Sequence, residues 1–134
     1  MTVETAPNSR PEWPDDALTM AREITLLVLD VDGVRTDGAL LCSASGDDLK
    51  AFNILDGLGL KQAMAAGIEV AVITGRQSPL TERRVTSLGI TTLLQGREDK
   101  ITALREVMAK RQLQPAQVAY IGDDLPDLAA IRYA

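Results

Sequence analysis

The sequence predicts an α/β fold: a Rossmann-like parallel sheet with helices on both faces. Three observations point to it. Short apolar runs rich in Leu, Val and Ile alternate with longer stretches of helical character. The runs are continuous, as in strands buried on both faces, not alternating as in strands with one wet face. Glycine or polar residues close each run, and strands separated by helices join through right-handed crossovers, which makes neighbours parallel.

The elements follow in order. Residues 1–14 are polar, carry Pro7, Pro11 and Pro14, and read as a mobile tail. A single domain is expected over 15–134. Pro14 followed by Asp15 and Asp16 starts a short helix that runs to about Glu23. Leu26-Leu27-Val28-Leu29 is the first strand, ended by Asp30. A β-hairpin insertion is expected over 37–53, with Ala39-Leu40-Leu41 and Leu49-Lys50-Ala51-Phe52 flanking a polar turn that contains Gly46. A helix is expected from about Gly57 to Ala66, closed by Gly67. Strands are then expected at Glu69 to Ile73, Ile90 to Leu94 and Val118 to Ile121, with helices at about Pro79 to Leu88 and Glu98 to Gln112. Arg83 and Arg84 read as surface residues of the first of these two helices.

Composition narrows the chemistry. The 134 residues suffice for one core, and 46% hydrophobic with 25% charged residues is ordinary for a soluble globular protein. Aromatics make up 3% and the net charge is −5, so a nucleic-acid partner is not expected. There is no His, which excludes Ser-His-Asp triads and His-ligated zinc. Cys42 is the one cysteine, so no internal disulfide forms, and no His is present to activate it. No apolar run is long enough to span a membrane, and the N-terminus has no signal-peptide pattern, so the cytoplasm is the expected location.

Ligands of open α/β sheets bind beyond the carboxyl ends of the strands. Three strands end there in chemistry-bearing residues: Asp30-Val31-Asp32-Gly33, Thr74-Gly75-Arg76 and Gly122-Asp123-Asp124, with Lys100 opening a helix nearby. Carboxylates gathered at one sheet edge repel one another unless a cation sits among them. A hard, oxygen-seeking ion such as Mg2+ suits them and would neutralise an anionic substrate. Arg76 reads equally as a substrate contact and as a structural ion pair. Asp124 and Asp127 also read as caps of a following helix, with Pro126 in its first turn.

These residues carry a resemblance. Asp30-Val31-Asp32-Gly33-Val34 with Thr36, then Thr74, Lys100, and Gly122-Asp123-Asp124 with Asp127, resemble in order and spacing the four motifs of the haloacid dehalogenase superfamily. Thr36-Asp37-Gly38, Lys50-Ala51-Phe52-Asn53, Asp56-Gly57-Leu58-Gly59, Ile73-Thr74-Gly75-Arg76 and Gln95-Gly96 resemble its 3-deoxy-D-manno-octulosonate 8-phosphate (KDO 8-phosphate) phosphatase family, from about Ile24 to Ile131. The resemblance implies a capless, Mg2+-dependent phosphoric monoester hydrolase of lipopolysaccharide biosynthesis, acting on a small sugar-acid phosphate and assembling as a homotetramer.

It also implies roles. Asp30 is the nucleophile that forms an aspartyl phosphate, and Asp32 the general acid and base. The metal is held by the Asp30 and Asp123 carboxylates and the backbone carbonyl of Asp32. Thr74, Gly75, Arg76 and Lys100 bind phosphate or substrate, and Asp124 and Asp127 orient metal-bound waters or Lys100. Arg35 and Leu55 depart from the family pattern, which usually has an apolar residue and often an Arg at these places. A further strand and helix of the family would follow Ala134, which leaves Val118 to Ile121 as an expected edge strand. Two other readings stand beside this one: a phosphatase of the same chemistry on another small ester, and an inactive remnant that acts only as an oligomeric protein.

Overall fold

A computed structural model describes residues 13–46 and 48–134. The tail expected over 1–14 lies, apart from Trp13 and Pro14, outside the described residues. Helix α1 (Asp15–Glu23) precedes β1 (Leu26–Leu29). A short pair, β2 (Leu41–Cys42) and β3 (Asp48–Leu49), leads into α2 (Ile54–Ala65). Then come β4 (Glu69–Ile73), α3 (Pro79–Ser87), β5 (Thr92–Leu94), α4 (Lys100–Arg111), β6 (Val118–Ile121) and α5 (Leu128–Tyr133). Single 3-10 turns cover Pro115–Gln117 and Leu125–Asp127.

The main sheet has the order β5-β4-β1-β6, all parallel, with β1 in the interior. Leu26 pairs with Glu69 on one side and Val118 on the other, so Asp30 leaves the sheet between the ends of β4 and β6. Strand periodicity sorts the core into two layers. Leu26, Val28, Ala71, Ile73 and Val118 pack against Ala103, Leu104, Val107 and Met108 of α4 and Ala130 of α5. Leu29, Val70 and Val72 pack on the other face against Leu60 of α2 and Val85 and Leu88 of α3.

Several boundaries differ from the sequence expectation. Of the expected hairpin over 37–53, only Leu41–Cys42 and Asp48–Leu49 pair, antiparallel. Helix α2 starts three residues earlier than expected, because the Asn53 side chain caps it by accepting from Leu55 N at 2.8 Å. Strand β5 starts later than expected, because Ile90 N bonds back to Val85 O and finishes the turn after α3. Arg84 is half-buried over Gly57, not on the surface.

Candidate active site

Strand β1 delivers Asp30 to the sheet edge with its backbone still paired, Asp30 N donating to Ile121 O at 3.0 Å. The chain then curls tightly: Val31 O accepts from Val34, Arg35 and Thr36 N. Gly33 makes this curl possible. Its φ is +84°, and a Cβ there would overlap Asp123 Oδ2, so the loops after β1 and β6 touch through the absent side chain. The Asp30 carboxylate is buried, and burial pushes its carboxyl above the ordinary range. Opposing that push, Oδ2 pairs with Lys100 Nζ at 2.7 Å and Oδ1 accepts from Val31 N at 2.7 Å.

Lys100 opens α4, whose N-cap Asp99 accepts from Thr102 N and Oγ1. Its buried ammonium sits between Asp30 and Asp127, at 2.7 Å from each. Burial pulls its pKa down, but the two carboxylates outweigh this and hold it above the ordinary lysine value. Asp127 is 0% exposed. Its Oδ1 also accepts from Tyr120 Oη at 2.7 Å, and its Oδ2 faces Asp123 N and Asp124 N at 3.3 and 3.4 Å. Burial and the neighbouring Asp127 carboxylate push the Tyr120 hydroxyl pKa up, which keeps it a proton donor to that carboxylate. Asp124 caps the Leu125–Asp127 turn by accepting from Leu125 N at 2.7 Å, and the ion pairs of Lys100 among the described residues are with Asp30 and Asp127.

Asp32 projects between two cations. Lys50 Nζ donates to its Oδ1 at 2.5 Å, and Arg76 Nε lies 3.8 Å from its Oδ2. Thr74 is buried at the end of β4, fixed by Thr74 N to Leu94 O and Arg97 N to Thr74 O. Asp30, Asp32, Thr74, Gly75, Arg76, Lys100, Asp123, Asp124 and Asp127 line one cavity of about 530 Å³. The structure therefore brings the nine candidate site residues to the same place, while Arg35 and Leu55 lie outside this cavity's lining.

Three residues carry more than the sequence reading gave them. From the sequence, Lys50 reads as part of a hairpin strand and of a resembling stretch, and Tyr120 as part of an apolar strand. Arg35 is 5% exposed, and its Nε and Nη2 find no acceptor among the described residues.

The donor chemistry suits a hard cation. One carboxylate oxygen each from Asp30, Asp123 and Asp127 lies within 4.8 Å of the others, and all are oxygen donors. Asp127 differs from the other two: it is fully buried and both its oxygens already face donors, so it serves Lys100 and the β6 loop first. Asp123 is exposed and faces the loop that carries Asp30 and Asp32.

The chain matches no protein-family model. It is 50% identical over 113 residues to the KDO 8-phosphate phosphatase of Yersinia pestis and 47% identical over 112 residues to that of Escherichia coli K12. Each match covers 84% of this chain, and the chain spans 60% of the length of these relatives. A probable phosphatase of Pseudomonas syringae superposes with TM-score 0.88 at 49% identity, covering 90% of this chain and 68% of that one. The KDO 8-phosphate phosphatase of Moraxella catarrhalis, solved with magnesium, phosphate and KDO, superposes with TM-score 0.87 at 44% identity, covering 89% and 68%. With this likeness in sequence and fold, the chain belongs to the KDO 8-phosphate phosphatase family of the haloacid dehalogenase superfamily.

Proposed function

We propose that this chain is a magnesium-dependent phosphatase that hydrolyses a small sugar-acid phosphate monoester, KDO 8-phosphate, through an aspartyl phosphate on Asp30. The observation that carries the reading is Asp30 itself: a buried carboxylate at the end of the interior strand, paired with a buried lysine and opening on the shared cavity. Asp30 and Asp123, with the backbone carbonyl of Asp32, would hold the magnesium. When bound, the ion supplies positive charge that offsets the phosphate dianion.

The protein groups divide the rest. Asp30 attacks phosphorus, and Asp32 gives a proton to the departing ester oxygen. Asp32 then takes a proton from water, whose oxygen attacks the aspartyl phosphate and frees Asp30. Lys100 offsets charge on Asp30 and the phosphoryl group, while Asp127 and Tyr120 hold Lys100 in place. Thr74 and the backbone at Gly75 bind phosphoryl oxygens. Arg76, 55% exposed at the cavity mouth, meets the substrate carboxylate with its planar fork.

We place the protein in the cytoplasm as a homo-oligomer, a tetramer in the family pattern. No helix among the described residues is long and apolar enough to cross a membrane. Leu40, Leu41 and Leu49 stand exposed on a hairpin of two residues per strand, and so small a hairpin is marginal alone. Sedimentation that finds a folded monomer at micromolar concentration counts against the assembly.

The activity is tested by turnover of KDO 8-phosphate and of p-nitrophenyl phosphate by the purified chain. Turnover with magnesium, its loss in chelator and its return on adding magnesium are expected. Full activity in excess chelator refutes the metal assignment, and no turnover of either ester refutes the reading.

A further inference from the structure

Lys50 lies just after β3, in the segment that carries the chain from the hairpin into α2. Its side chain is 5% exposed, and Asp32 Oδ1, at 2.5 Å, is its hydrogen-bond acceptor among the described residues. Arg76 Nε, at 3.8 Å from Asp32 Oδ2, is beyond hydrogen-bonding distance. The Asp32 carboxylate thus has one oxygen pinned and the other on the cavity without a hydrogen-bond donor among the described residues. Burying an ammonium to make a single contact is costly, and the contact made is with the carboxylate beside the nucleophile.

We propose that Lys50 is a positioning residue for the proton transfer to the leaving group, an inference that rests on the phosphatase reading above. Lys50 holds Oδ1, which leaves Oδ2 as the oxygen that faces the cavity and passes a proton to the ester oxygen. As an oxygen of Asp30 bonds to phosphorus, the bond from phosphorus to the ester oxygen breaks and its electron pair stays on that oxygen. The proton on Asp32 Oδ2 goes to the same oxygen, and Asp32 becomes a carboxylate. The negative charge that develops on Asp32 meets an ammonium already at bonding distance, so no group has to reorganise. Lys50 also makes the hairpin part of the chemistry, since the segment that leaves β3 sets the orientation of the proton donor.

The reasoning predicts a dependence on the leaving group. A p-nitrophenolate departs without a proton, whereas phenolate, a much stronger base, needs one. Lys50→Met and Lys50→Arg are compared with the wild-type chain on phenyl and p-nitrophenyl phosphates with magnesium, esters of similar size that share one binding mode. The readout is kcat/KM, which covers the steps through leaving-group departure. Lys50→Met is expected to lose about tenfold more on phenyl phosphate than on p-nitrophenyl phosphate, within the range that a positioned acid supplies. Lys50→Arg, which keeps the cation, is expected to recover part of that difference. Equal losses on both esters, or none on either, overturn the proposal: the first makes Lys50 a tether for the hairpin, the second a bystander. Failure of the wild-type chain to turn over any ester removes the phosphatase reading itself, and the proposal with it, and is distinguishable from both.

Discussion

Asp127→Asn tests whether Asp127 is an anchor for Lys100 or a metal ligand. The substitution keeps the volume of a side chain that is 0% exposed. Its remaining oxygen can still accept from Lys100 and Tyr120, but Lys100 loses one of its two counter-charges and keeps only Asp30 at 2.7 Å. The new amide also places N–H groups where Oδ2 faced Asp123 N and Asp124 N. Breaking a buried ion pair costs about 3–5 kcal/mol, and the surviving Asp30 contact puts this case near 3 kcal/mol. For a chain of this size that is a fall of about 1.5 M in the urea midpoint, followed by far-ultraviolet circular dichroism. The measurement is made in chelator, so that metal binding adds nothing to the folded state. A midpoint that moves by less than about 0.3 M in chelator, with the difference appearing only when magnesium is added, refutes the anchor and makes Asp127 a ligand.

Further outcomes follow from neighbouring features. Asp30→Asn is expected to fold with its thermal midpoint within a few degrees of wild type and to lose turnover by about a thousandfold or more; appreciable activity in a clean preparation refutes the covalent route. Gly33→Ala places a Cβ against Asp123 Oδ2 at a φ of +84°, a conformation that costs an L side chain about 1–2 kcal/mol. Its thermal midpoint is expected to fall by about 4 °C, and the magnesium concentration for half-maximal turnover to rise; an unchanged magnesium requirement refutes the contact's role. Glu69→Gln removes the carboxylate that accepts from Arg111 Nε at 2.9 Å, linking the start of β4 to the end of α4. The Arg111 guanidinium holds this carboxyl below its ordinary value of 4.5. The pair's contribution is therefore complete above that value and is lost as pH falls through the lower folded one. Since Glu69 is nearly half exposed, the cost at pH 7 is about 0.5 kcal/mol, and the urea midpoints of variant and wild type are expected to converge in acid.

What the sequence could and could not reveal divides along physical lines. Asp30, Thr74 and Asp123 were legible because each stands where an apolar run stops, and a run buried on both faces is a strong local signal. Their meeting in one cavity follows from parallel strands ending at the same edge. Lys50 was not legible in this way. A single lysine between Leu49 and Ala51 reads as one residue of a hairpin strand, and no local pattern records that its ammonium reaches Asp32, 18 residues away. Tyr120 reads as core because the strand pattern does not record that its hydroxyl reaches Asp127. Gly57 reads as the start of a helix, yet it lies inside α2, which the Asn53 cap starts earlier, and Arg84 packs over it. Arg35 was legible as a departure from the family pattern, but not as a buried guanidinium with two nitrogens that find no acceptor among the described residues.

The interior position of β1 also sets a timetable for synthesis. Its second neighbour, β6, belongs to a stretch about 92 residues further along the chain. At the usual pace of elongation that gap lasts roughly 5–20 s. During this interval β1 can pair with β4 while its other edge has no partner, and the nascent chain carries Asp30 and then Lys100 without Asp127 to share the charge. The nucleophile is thus made early and its surroundings late. The interval between them is when an open backbone edge on the ribosome is available to chaperones or to mispairing with another nascent chain.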